Sequence, residues 1–204
     1  ERIPTQELLA FYRQDVASLE KVVVGNLYLY QVRVYADEDD IYEMVPILYG
    51  RRRMEKLAWA QGGWTPGTWQ LDFEDTLFSS QTRTEHVMSL VSDITDPAAG
   101  HVGTLEVAIR MEDMFPALFA QEENRQTFLL AQDGTVYGAD AAGADPAALR
   151  ALAGTDGIRG GVVRTAFGGD EVLAYGIDCS EIGCVYLQVS SLRTCLQQLD
   201  VAER

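Results

Sequence analysis

The groups on this chain best suited to covalent chemistry are few: two histidines, His86 and His101, and three cysteines, Cys179, Cys184 and Cys195. Nucleophilic or acid-base catalysis needs a nucleophile within reach of a base, and the spacing implies no such partner for either histidine. Three cysteines and two histidines, so scattered, form neither a disulfide framework nor a metal set. Cys179 and Cys184 flank the four residues from Ser180 to Gly183, an arrangement that fits a short-loop disulfide or two free thiols in a hairpin. No glycine-rich loop leaves a strand and opens a helix, so phosphate cradling is unsupported, and Gly160-Gly161 and Gly168-Gly169 read as turns. The expectation is a segment with no catalytic residue, no metal and no cofactor.

Binding chemistry is better represented. Ser89, Asp93 and Glu106 fall on one parity of two consecutive alternating stretches, interleaved with Val87, Val91 and Ala108. A face of that composition suits either solvent or a polar pocket. Residues 41–75 lack regular periodicity but hold Tyr42, Tyr49, Trp59, Trp64, Trp69 and Phe73, together with Arg51, Arg52 and Arg53, the densest positive charge in the chain. A long irregular aromatic segment between strands suggests a cover over a pocket. Alternatively, the rings are satellite core and the arginines pair with nearby carboxylates. On the first reading Trp64 and Trp69 supply flat walls for a sugar ring or another small solute. Tyr49 and Arg52 then donate hydrogen bonds, and Ser89, Asp93 and Glu106 face them from the sheet.

The elements that must position these groups follow from local signals. In the first alternating arm Met88, Leu90 and Ile94 share a face. Thr95-Asp96-Pro97 and Gly100 break the pattern, and Leu105, Val107 and Ile109 share a face in the return arm. This predicts a hairpin turning near 95–100, followed by a short helix over 111–119. Upstream, Thr5 caps a helix carrying Leu9, Tyr12, Val16, Leu19 and Val23 at steps of three and four, which suits either packing on its own sheet or a dimer seam. Gly25-Asn26 stops it, and residues 27–35 form a first strand with Tyr28, Tyr30, Val32 and Val34 on one parity. The acidic run 37–40 reads as a solvated turn. Downstream, 127–131 is a strand, Asp133-Gly134 a turn and Val136-Tyr137 its continuation. Asp145-Pro146 caps a small helix; strands over 161–167, 171–178 and 184–189 and a final helix over 191–202 complete the order.

The chain has 204 residues, 47% of them hydrophobic, enough for a core in one domain or two. Its net charge of −15 repels nucleic acid and anionic lipid. No apolar run approaches the ~18 residues of a membrane span, and the chain opens and closes on helical patterns, as a piece excised from a longer protein would. The order of elements points to α+β architecture with two antiparallel sheets in series.

That pattern resembles the double Cache sensor region of bacterial membrane histidine kinases and chemoreceptors, two PAS-like modules after a long N-terminal helix. Gln31-Val32-Arg33-Val34-Tyr35 resembles the strand after that helix, especially in kinases controlling carbohydrate uptake. Residues 89–114, with Gly103-Thr104-Leu105-Glu106-Val107-Ala108-Ile109, resemble the family's strand, turn, strand and short helix. Residues 128–134 with 173–189, turning at Glu181-Ile182-Gly183, resemble the second module. The resemblance implies an N-terminal helix over 1–26, a membrane-distal ligand-binding module over 27–120, a membrane-proximal module over 121–190 and a helix over 191–204 leading to a membrane span absent here. It further implies an extracytoplasmic sensor of a small, carbohydrate-like molecule in a two-component kinase, tethered through missing segments and paired as a homodimer through its first helix. Output through a chemoreceptor, or a protein-interaction module without a small ligand, is the alternative. Amino-acid-binding members carry Arg-x-Trp-Tyr and a strand aspartate. Aligned on Arg52, this chain has Met54 and Glu55 at the aromatic pair and Ala108 at the aspartate, leaving Glu106 or Asp93 to meet an ammonium group.

Overall fold

The computed structural model describes residues 10–75 and 86–193, and the chain divides into two compact units, Glu1–Met114 and Phe115–Arg204. In the first, a π-helical turn at Tyr12–Val16 continues into α1 (Ala17–Gly25). Of the residues spaced at three and four, Val16 is buried against Met44 and Ile47 of the same unit, with Leu19 and Leu48 alongside, while Tyr12 is half exposed. Asn26 ends the helix by turning extended, and its side-chain oxygen accepts the Tyr28 amide at 3.0 Å. Leu9 and Thr5 lie outside the described residues.

β1 (Leu29–Ala36), β2 (Leu48–Gly50), the short α2 (Arg51–Met54) and α3 (Ala58–Gln61), β3 (Thr68–Glu74), β4 (His86–Asp96) and β5 (Gly100–Arg110) follow, with α4 (Met111–Met114) at the end. The sheet order is β2-β1-β5-β4-β3, antiparallel except for the β1 and β2 pair. The β4–β5 hairpin turns where Asp96 accepts the amides of Ala98 and Ala99, both at 2.8 Å, and Gly100 takes a φ of 81° that a side chain would oppose.

The register decides which hairpin face is interior. Val91 pairs with Glu106, which pairs with Arg33, while Leu90 pairs with Val107 on the opposite face. Ser89, Val91, Thr104, Glu106 and Ala108 are buried, whereas Leu90, Leu105, Val107 and Ile109 are only half-buried. The mixed face therefore forms the heart of the unit. β1 buries residues of both parities, Val32 on one side and Arg33 and Tyr35 on the other, and the strand begins at Leu29, leaving Tyr28 exposed. The acidic run is not purely solvated, since Asp37 and Asp39 hold Arg51 and Arg52.

The second unit repeats the sheet order. α5 (Pro116–Phe119), β6 (Arg125–Ala131), β7 (Val136–Tyr137), α6 (Pro146–Ala153), β8 (Val163–Phe167), β9 (Asp170–Cys179) and β10 (Cys184–Ser191) give an antiparallel sheet ordered β7-β6-β10-β9-β8. The helix expected over 111–119 is interrupted at Phe115, because Pro116 cannot donate a backbone hydrogen bond and starts a new turn. Asp145 caps α6 by accepting the Ala147 amide at 2.9 Å. Leu149 and Leu152 of α6 meet Phe128, Leu130, Val172, Leu187 and Val189, an apolar contact in which each buried leucine contributes roughly 1.5–3 kcal/mol. Cys179 and Cys184 lie directly across from each other on β9 and β10 as free thiols, and burial pushes the Cys184 thiol up to about 11. Only the opening turn of the final helix falls within the described residues, and Cys195 lies beyond them.

Candidate functional site: a buried charged cluster beneath an aromatic roof

Glu106 lies at the centre of β5 with no exposed surface. Its Oε2 accepts the Tyr35 hydroxyl at 2.5 Å, and its Oε1 accepts the Ser89 hydroxyl at 2.8 Å and the Trp59 indole N–H at 3.2 Å. Strand pairing brings β1, β5 and β4 together, so Tyr35, Glu106 and Ser89 converge although they are far apart in sequence. The Arg33 guanidinium lies 3.7 Å from the same carboxylate and closes a two-pronged pair with Asp75, at 2.6 and 3.2 Å. The Tyr30 hydroxyl also reaches Asp75, at 3.0 Å. One guanidinium thus stands between two buried carboxylates.

Such a cluster is costly to take out of water, and its geometry must compensate. Burial alone would lower the Arg33 pKa, yet the Asp75 hydrogen bond and the surrounding negative charge lift it above the ordinary arginine value. Burial, reinforced by the Glu106 charge, raises the Tyr35 hydroxyl well above the usual tyrosine range. Burial also pushes Tyr49 up to about 12, against the opposing pull of Arg33 and Arg53.

Residues 51–67 lie over this face. The roof is fastened at its start: Arg53 forks onto Glu43 at 3.1 and 3.0 Å, while Arg51 and Arg52 reach Asp37 and Asp39. The Arg53 hydrogen bond holds the Glu43 carboxyl below the usual range even though partial burial pulls the other way. Leu57 and Trp59 then turn inward, and the Tyr35, Tyr49 and Trp59 rings stack around Glu106 with centroids 5.9 and 6.3 Å from Tyr35. Trp64 closes edge-on against Trp59 at 5.7 Å.

Of the residues singled out from the sequence, Tyr49, Ser89 and Glu106 come together here, with Trp64 at the outer side of the cluster. Arg52 does not join them. It is 79% exposed and paired with Asp39, while its neighbour Arg53 points back toward Tyr49 at 5.8 Å. Asp93, two residues beyond Val91 toward the hairpin end, is exposed and lies 3.3 Å from His101. Trp69 pairs with Leu90 and so belongs to the other face of the sheet. The residues missed were Arg33, Tyr35, Asp75 and Trp59. Arg33 did carry a signal, a cation inside a β-branched and aromatic strand, whereas Asp75 carried none.

His86 lies 2.7 Å from Asp72, and among the described residues no group of three or more histidine, cysteine, aspartate or glutamate side chains is arranged to hold a metal ion. The cluster gathers a carboxylate, a guanidinium, hydroxyls and indole faces, shielded from water.

No protein-family model matches the chain, and no curated protein matches it in sequence. Solved structures do. An extracellular ligand-binding receptor from Desulfohalobium retbaense matches 86% of this chain at 16% identity with a TM-score of 0.50, and the chain spans only 32% of that receptor's length. The ligand-binding domain of the Pseudomonas aeruginosa amino acid chemoreceptor PctB, in complex with L-arginine, matches 93% of this chain at 14% identity and a TM-score of 0.53, with 78% of its own chain covered. At such identities the likeness concerns the fold. It is the fold of extracellular ligand-binding sensor domains, a helix followed by two PAS-like modules of the double Cache type. No described helix is long and apolar enough to cross a membrane.

Proposed function

We propose that this chain is the extracytoplasmic sensor domain of a membrane signalling protein, with a small molecule taken up in the first unit between the β1–β5–β4 face and the aromatic roof. The observation that carries the reading is Glu106, a wholly buried carboxylate met by Tyr35, Ser89 and Trp59 beneath the cover that residues 51–67 form. A solute bearing an ammonium group complements the buried Glu106 carboxylate and the surrounding indole and phenol rings. The L-arginine held by the chemoreceptor domain is a ligand of that chemistry. A carbohydrate-like ligand is the second reading, favoured by the half-buried Trp64 ring set against Trp59.

Entry of either ligand requires Trp59 and Trp64 to give way, and the roof's new position is the signal. Output passes to a histidine kinase or a chemoreceptor body. The exposed Phe11, Tyr12, Val22 and Val24 on the first helical segment support a homodimer seam there.

Trp59, Trp64 and Trp69 are the chain's three tryptophans, so indole emission reports on the first unit. Titration with L-arginine, other amino acids, simple amines and monosaccharides should move that emission for one class. At a hundredfold its dissociation constant the same compound should stabilise the protein by about 2.7 kcal/mol in thermal unfolding. Silence across all classes, with unfolding unaltered, refutes small-molecule sensing and favours a protein-interaction module.

A further inference from the structure

The second unit contains a cavity of about 680 Å³ at the end of its sheet where β10 finishes. That volume falls within the range of small-molecule sites, roughly 300–1,000 Å³. Its floor is apolar and partly aromatic: Phe128, Val172 and Val189 are buried, and Phe167 stands against Phe128 with ring centroids 6.3 Å apart. These side chains belong to the core under α6, so the cavity is the open mouth of that core.

The polar part of the lining has a single sign. Glu122, Glu123, Asp140, Asp145 and Asp170 all border the cavity, and among the described residues no lysine, arginine or histidine does. Arg125 compensates Glu122 from outside the lining. Asp140 accepts the Thr127 amide at 3.3 Å and Asp145 the Ala147 amide at 2.9 Å, bonds that fix both carboxylates while leaving acceptor capacity, since an ionised carboxylate offers about four lone-pair sites. The N-terminus of α6 also opens here, and the Asp145 cap meets its partial positive charge. The remaining field is negative over an apolar floor.

We propose that this cavity is a second ligand site, independent of the cluster in the first unit, and that it takes a small organic cation: an apolar or aromatic body on the phenylalanine floor with an ammonium group at the carboxylate rim. An anionic or purely apolar compound satisfies only half of this lining. Ser191 lies in the lining and is the last residue of β10, its amide bonded to the Asn124 carbonyl at 3.2 Å. A ligand held here rests against the end of β10.

The test is isothermal titration calorimetry of the 204-residue chain at pH 7 and low salt with 2-phenylethylamine, and with 3-phenylpropionate as the anionic counterpart. The amine should bind and the carboxylate should not. The double variant Asp170→Asn, Glu123→Gln alters two exposed rim residues and leaves the floor intact, and should weaken the amine at least about tenfold, a difference of about 1.4 kcal/mol. Phe167→Trp places an indole in the wall, and its emission should change on binding. No heat from the amine, equal binding of both probes, or amine binding undiminished by the double variant overturns the proposal. Emission from the native tryptophans reports separately on the first unit, so failure of either site is recognised without reference to the other.

Discussion

Glu106→Gln tests the buried cluster with the least change of shape. The carboxylate accepts three hydrogen bonds, from Tyr35, Ser89 and Trp59, and lies 3.7 Å from Arg33. An amide can place its oxygen where Oε1 was, keeping Ser89 and Trp59. Its NH2 then faces the Tyr35 hydroxyl, which must accept instead of donate, and the Arg33 guanidinium, which cannot accept. One charge-assisted bond is lost, about 1.5–3 kcal/mol. Attraction to Arg33, about 4 kcal/mol at an effective dielectric of 20, is lost too, while several kcal/mol of carboxylate desolvation is relieved. The last two terms largely cancel, because Arg33 keeps Asp75. The net expectation is destabilisation of the first unit by about 2–3 kcal/mol. Followed by tryptophan emission in urea, with a slope near 1–3 kcal/mol/M, the midpoint should fall by about 0.7–3 M. Asp93→Asn, at an exposed carboxylate on the neighbouring strand β4, should stay within about 0.5 kcal/mol. A Glu106→Gln midpoint equal to or above that of the parent would refute the proposed balance.

Gly103→Ala should destabilise the first unit by about 1–3 kcal/mol, because its Cβ would stand 2.5 Å from the Tyr35 carbonyl oxygen, a backbone atom that cannot swing aside; an unchanged urea midpoint would contradict this close approach. Glu43 gives a pH signature. Its folded pKa lies below the ordinary 4.5, so the charged form is the one the fold stabilises. The advantage of the parent over Glu43→Gln should be present at pH 7 and disappear as pH falls from about 4.5 through the lower folded value, read as converging melting temperatures. A gap that widened in acid would reverse the assignment.

The sequence made the local features legible and the distant ones opaque. Thr95-Asp96-Pro97, Gly100, Asp133-Gly134 and Asp145-Pro146 each shape backbone within a few residues, and the turns and the cap stand where they point. Arg33 and Asp75 are 42 residues apart, Tyr35 and Glu106 are 71 apart, and no periodicity announces such pairs. Arg52 and Arg53 are neighbours of the same type on one short helix. Which turns toward Tyr49 depends on where Asp39 and Glu43 stand after β1. Trp69 fell on the wrong face for a similar reason: β3 pairs through Gln70 with Ser89, then shifts register before Phe73, where Asp72 takes a φ of 46°. Parity counted through an irregularity of that kind inverts.

The two units make the argument for the site sharper than either alone. Both sheets have their strands in equivalent order, β2-β1-β5-β4-β3 and β7-β6-β10-β9-β8. In the second, the face under α6 is filled by Phe128, Leu130, Val172, Ala174, Leu187 and Val189. In the first, the corresponding third strand buries Glu106, flanked by Arg33, Ser89 and Tyr35. The chain therefore demonstrates that its architecture closes with hydrocarbon alone. Replacing a buried ion cluster by apolar side chains of similar volume is often neutral or stabilising by about 1–4 kcal/mol, so charge in the first unit is not required to hold the sheet together. The proposed ligand site would account for a charged cluster held at that cost in one of two like frames, and the roof of Trp59 and Trp64 is placed where such a ligand would have to displace it.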